Sequence, residues 1–152
     1  MLVGRKRAGW TSLADRPRSG LGPLGGIAAA LHHAEVRGYG EVLTIGCDMP
    51  RLPAGLVEAL VAQAPAYCRD APILGCWPAS AIAGLDRYLD ADDAGPSPSS
   101  GHGQGAKDPR LSIRRWASAV DARPIAAPTP IPNVNTPADL AGFAARARAD
   151  SA

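Results

Sequence analysis

Asp48 closes a short apolar run, Glu41 to Gly46 (EVLTIG), and sits between Cys47 and the Met49-Pro50 pair. A carboxylate at the C-terminal end of a strand lies where open α/β sheets bind ligands. It is a hard oxygen donor suited to Mg²⁺, which takes one or two protein carboxylates and completes its shell with water and substrate phosphates. The same aspartate would equally serve as a helix cap or turn former. Asp15 precedes RPRSGLGPLGG, residues 16 to 26, a loop whose glycines let the backbone approach a ligand closely. If the strands ending at these two aspartates are parallel and joined by a right-handed crossover, both carboxylates finish on one edge of the sheet.

A second polar group is the run Asn133, Val134, Asn135, Thr136 ahead of a helical stretch. Its two amides and one hydroxyl could hydrogen-bond a polar ligand or simply cap the helix. Arg110 and Arg114 are four residues apart and, with Arg115, could meet an anionic substrate from one helix face, although a solvated basic face explains them as well. His32 and His33 are adjacent, about 100° apart on a helix, so they do not make the i, i+4 pair of a metal site. His102 falls in a polar segment and carries no role. The chain contains no G-x-S-x-G elbow, no P-loop and no H-E-x-x-H, which removes most support for hydrolase and P-loop readings.

The elements that must position these residues follow from periodicity. Met1 to Gly4 and Trp10 to Leu13 read as brief strands. Residues 24–37 place Leu24, Ile27, Ala28, Leu31 and Ala34 at helical spacing, with Pro23 at the first turn and Gly38 and Gly40 beyond the end. Glu41 to Gly46 reads as a strand buried on both faces of a parallel sheet. Residues 55–63 form a helix with a stripe of Leu56, Val57, Leu60 and Val61. Pro72 to Trp77 is a strand and Ala79 to Leu89 a helix. Residues 90–109, polar and rich in Gly, Ser and Pro, read as a flexible insertion. Residues 110–118 read as a helix and Pro124 to Ala127 as a strand. A final helix is capped by Thr136, with Pro137 first, Asp139 at its positive end, and Leu140, Phe143 and Ala144 as the inner face. Strands alternating with helices predict a mostly parallel sheet covered on both sides.

Composition bounds the rest. A chain of 152 residues fits one domain and, burying roughly 70% of its unfolded surface, needs no disulfide or structural metal to fold. With 16 Lys and Arg against 14 Asp and Glu spread along the chain, there is no basic footprint and no nucleic-acid partner is expected. No apolar stretch approaches the roughly 20 residues that span a bilayer, so no membrane partner is expected either. Arg5, Lys6 and Arg7 are followed by no apolar segment, which predicts no secretory signal and a cytoplasmic location. Cys47, Cys68 and Cys76 are odd in number and lack C-x-x-C spacing, as expected of reduced thiols.

The strings GLGPLGGIAAAL, VLTIGCDMPRLPAGLVEAL and NVNTPADL, in this order and spacing, resemble the molybdenum cofactor guanylyltransferases, the MobA-type nucleotidyltransferases. The likeness runs over about residues 10–145 apart from the insertion. It implies a Rossmann-like three-layer fold and transfer of GMP from GTP to Mo-molybdopterin with Mg²⁺. Asp48 matches the family aspartate that binds metal and nucleotide and serves catalysis. Asp15, seven positions before GPLGG, and Gly22 match nucleotide-contacting positions. Asn133 and Asn135 match asparagines facing the pterin. Molybdoenzymes or their chaperones are the implied protein partners.

The sequence departs from that pattern in three places. The family's initial strand and LAGGxSxRMGxxK loop are not found, so the resemblance implies a fold truncated at its N-terminus and weak or no GTP binding by this chain. Gly4 stands where an asparagine is usual, and Ala71 where a histidine is frequent. Within the same resemblance, a cytidylyltransferase acting on the same pterin and a non-catalytic remnant that binds pterin or a protein partner are the alternatives.

Overall fold

The computed structural model describes residues 1–4, 7–90 and 111–149. Apart from Asp90, the predicted insertion at 90–109 lies outside the described residues, as do Arg110 and Lys6. Two short strands, β1 (Leu2–Val3) and β2 (Ser12–Leu13), pair in parallel as a sheet of their own. The chain then enters helix α1 (Gly22–Val36), with Pro23 in its first turn. At its end the Gly38 N–H donates to Glu35 C=O at 3.1 Å and the Tyr39 N–H to Ala34 C=O at 2.9 Å, a Schellman closure that turns the chain into the next strand.

Strand β3 (Glu41–Thr44), helix α2 (Leu56–Ala62), β4 (Ala66–Cys68) and β5 (Gly75–Pro78) follow. A 3₁₀ turn (Ala79–Ala81) leads into α3 (Ile82–Asp90), and α4 (Ile113–Ala119), β6 (Arg123–Ile125) and α5 (Pro137–Ala149) complete the order. The second sheet has the order β3-β5-β4-β6.

Side chains alternate across that sheet. Val42, Tyr67 and Trp77 point to one face, where they join Leu24, Ile27 and Leu31 of α1, Leu85 and Leu89 of α3 and Trp116 of α4. Ala66, Cys68 and Cys76 point to the other, against Leu56 and Leu60 of α2. Helices therefore cover both faces, as expected. Trp77 anchors the first core: its ring centroid is 4.5 Å from that of Trp116, and its Nε1–H donates to Thr44 Oγ1 at 3.0 Å.

The expected mostly parallel sheet is instead mixed. β5 runs antiparallel to both β3 and β4, and only the β4–β6 pair is parallel within this sheet. Alternation of helix and strand failed as a guide because β4 is three residues long, lacks Val and Ile, and escaped the periodicity reading. The segment between β4 and β5 is too short for a parallel crossover, which needs a dozen or more residues. β3 is also not buried on both faces. Val42 is buried, but Leu43 is 42% exposed, because β3 lies at the edge of its sheet.

Other boundaries shift as well. Val61 does not join the buried stripe of α2. Asp90 ends α3 rather than opening a loop. The inner face expected for α5 is not inside: Leu140 is 55% exposed, and Phe143 and Ala144 are half-buried. Among the described residues no helix is long and apolar enough to cross a membrane.

Candidate functional site

The chain leaves β3 at Thr44 and turns over Gly46 to Asp48, with the Met49 N–H donating to Gly46 C=O at 3.3 Å. The half-buried Asp48 carboxylate folds back over Gly46 so closely that a Cβ there would collide with Oδ1. It would also lie 3.2 Å from the Met49 methyl and 3.3 Å from Ile73. Glycine at 46 thus fixes where the carboxylate can sit. Met49 packs into the α2-side core, holding the turn from below.

The Asp48 C=O accepts the N–H of Val134 at 2.8 Å. This bond brings the two motifs together across most of the sequence, with the exposed Asn133 and Asn135 flanking the donor. The start of α5 is itself locked. The Asp139 N–H donates to Thr136 Oγ1 at 3.1 Å, while Asp139 Oδ2 accepts from the Thr136 N–H at 2.9 Å and the Asn135 N–H at 3.1 Å. This reciprocal cap confirms Thr136 as the capping residue. Hydrogen bonds from Thr136, side chain first, and from the Asn135 N–H hold the Asp139 carboxyl below the usual aspartate range. The Arg51 guanidinium lies 5.5 Å from the Phe143 ring centroid, a second tie between the Asp48 loop and α5.

Asp15 is placed differently. Its Cβ and carboxyl lie against Gly25 of α1, where an added Cβ would come within 3.2 Å, and its Oδ1 is near Gly4. The next residue, Arg16, donates from Nη2 to Asp86 Oδ2 of α3 at 3.2 Å, and its N–H to Gly25 C=O at 3.1 Å, anchoring the loop that leads to α1. Gly22 begins α1 with a positive φ of 57°, a conformation that disfavours other residues. The first turn of α1 has neither a side-chain cap nor an acidic residue of its own, and the Asp15 carboxyl lies beside it.

Three clefts divide these residues. One of about 520 Å³ is lined by Met49, Arg69, Asp70, Thr129 and Asn133 among others. A second, about 490 Å³, holds Asp15 with His32, His33 and Arg37. A third, about 550 Å³, runs past Gly20, Gly22 and Pro23 to Arg114. The first and third share Ala71 as a wall. The structure therefore joins Asp48 to the Asn133–Asn135 run. It does not join Asp15 to Asp48 through a continuous sheet, since β2 and β3 belong to different sheets.

Among the described residues no group of three or more His, Cys, Asp or Glu could hold a metal ion. Asp48 is a single hard donor. That fits Mg²⁺ shared with substrate phosphates and does not fit an ion held in a protein cage. All three cysteines are free, Cys47 exposed and Cys68 and Cys76 buried. Burial, helped by the neighbouring Glu41 carboxylate, pushes the Cys76 thiol up and keeps it protonated.

Residues 4–98 match the MobA-like NTP transferase domain. The chain belongs to this family. As a MobA-like NTP transferase domain it is 34% identical over 143 residues to the molybdenum cofactor guanylyltransferase of Rhodobacter capsulatus, covering 91% of this chain and 67% of the relative. The enzyme of the same name from Acidiphilium cryptum is 31% identical over 137 residues, covering 88% of this chain and 63% of the relative. The chain thus spans about two thirds of the length of these curated relatives. Membership places it among nucleotidyltransferases. The matched domain takes in Asp15, Gly22 and Asp48, while Asn133 and Asn135 lie beyond it.

The sequence reading missed Arg69, Asp70 and Thr129 in the first cleft, and the Arg51–Phe143 contact. Arg69 and Asp70 follow directly on the unrecognised β4. The prolines at 65 and 72, which bracket that segment, were the available signal.

Proposed function

We propose that this chain carries the Asp48 metal centre and the pterin cleft of a guanylyltransferase that moves GMP from GTP to Mo-molybdopterin. In that reaction an oxygen of the acceptor phosphate forms a bond to the α-phosphorus of GTP, the bond from that phosphorus to the β-phosphate oxygen breaks, and pyrophosphate leaves. Asp48 would hold Mg²⁺, which would neutralise charge on the phosphates. Asn133 and Asn135 orient the pterin by hydrogen bonds from their amides. The uncapped first turn of α1, beginning at Gly22, and Asp15 contact the nucleotide. No covalent nucleophile takes part. The product would pass to molybdoenzymes or their chaperones in the cytoplasm.

One observation supports this reading above the others: the 2.8 Å bond from the Val134 N–H to the Asp48 C=O. It ties the segment of the acceptor-side asparagines to the turn that carries the proposed metal ligand, as transfer between two bound substrates requires. The test is formation of the pterin guanine dinucleotide from Mo-molybdopterin and GTP at high concentration, with CTP in a parallel reaction. Product from GTP and not CTP is expected. Product only from CTP would reassign the nucleotide, and binding of pterin with no product from either would leave a binding protein.

A further inference from the structure

We propose that Arg69 is the residue that recognises the phosphate monoester of the acceptor, and that Arg114 positions it; this rests on the reading of the 520 Å³ cleft as the acceptor site. Arg69 stands where β4 ends, and its backbone is held on both sides. Its N–H donates to Ile125 C=O at 2.8 Å, and its C=O accepts from Arg114 Nη2 at 2.7 Å. The neighbouring Asp70 carboxylate is engaged by the Ala127 N–H at 3.0 Å. The exposed Arg69 side chain is the sole cation among the described residues lining this cleft, and it makes no hydrogen bond or ion pair within the described structure.

Its placement suits an anion. The guanidinium presents a planar fork of donors that matches phosphate oxygens in pairs. Thr129 and Asn133 add neutral hydrogen-bonding groups to the same cleft. Arg114 lines the third cleft, beyond the Ala71 wall, and reaches the Arg69 carbonyl from that side. Segment 69–71 thus separates the acceptor cleft from the cleft at the start of α1, with one arginine on each side. A phosphate bound by Arg69 would lie at the boundary its new bond must cross.

The test is calorimetric titration of the whole chain, without nucleotide or Mg²⁺, using hydroxymethylpterin phosphate and unphosphorylated hydroxymethylpterin. The wild type should bind the phosphate form more tightly. Arg69→Ala should lose roughly tenfold in affinity for the phosphate form and none for the alcohol, as expected for a charge-assisted hydrogen bond. Arg69→Lys should recover part of that loss. Arg114→Ala should reduce the same ratio, whereas a purely structural role would weaken both probes alike. Equal binding of the two probes by the wild type, or an unchanged ratio in Arg69→Ala, overturns the proposal. Because nucleotide is omitted, failure of guanylyl transfer would sink the function reading without altering this result.

Discussion

The N–H of Val134 donates to the carbonyl oxygen of Asp48 at 2.8 Å, joining a turn at the end of an edge strand to the segment that leads into α5. The bond brings the backbone that carries Asn133 and Asn135 to the backbone of Asp48, the proposed metal ligand.

Val134→Pro removes the donor and should lower guanylyl transfer at least tenfold. The cost in stability should be about 1 kcal/mol, the net worth of one such bond. Val134→Ala keeps the N–H and should leave transfer near wild type. Kinetics of both variants, with urea unfolding as the control, check this; equal losses in the two would show that the bond is not what matters.

Gly46→Ala drives a methyl group into the Asp48 carboxylate, Met49 and Ile73. Overpacking of this kind costs roughly 1–3 kcal/mol. Transfer should fall further than stability does, since the displaced group is the proposed metal ligand. A variant that is destabilised but fully active at a temperature where it remains folded would argue against Asp48.

Asp139 gives a pH dependence with a definite sign. Its carboxyl is held below the usual range by Thr136 and Asn135, so the folded form favours the ionised state. The stabilisation is present above the ordinary aspartate value of about 3.9 and is lost as pH falls from there through the lowered folded value. NMR of the Asn135 and Thr136 amides should show them released in that window. Asp139→Ala should show them released at neutral pH already. Amides that ignore both changes would contradict the cap.

The two buried tryptophans make a matched pair. Trp77 Nε1–H is bonded to Thr44, whereas Trp116 Nε1–H is buried without a hydrogen-bond partner among the described residues. Replacing either by Phe removes the same atoms from the core. Trp77→Phe should therefore cost about 1 kcal/mol more than Trp116→Phe in urea unfolding. Equal costs would mean that the Thr44 bond contributes nothing.

What could be read from the sequence was what repeats or punctuates. The α1 stripe, the Pro23 start, the Gly38 stop and the Thr136 cap all emerged because side-chain spacing and capping chemistry are local. Asp48 could be found because strand, turn and carboxylate are contiguous. β4 could not, since three residues carry no period, and with β4 missed the antiparallel direction of β5 was lost too. The exposure of Leu43 and Leu140 was equally out of reach, because what covers an apolar face is decided by distant chain. Arg69 belongs to the same class: its significance comes from a cleft assembled by β4, the Asp48 turn and the segment after β6.

The most direct test of Asp48 as metal ligand compares wild type with Asp48→Asn in Mg²⁺-dependent formation of the guanine dinucleotide from Mo-molybdopterin and GTP at high concentration. The wild type should give product that disappears on chelation of the metal, and the variant none although it still folds and binds pterin. Equal product from the two proteins, or product that survives chelation, would contradict that role.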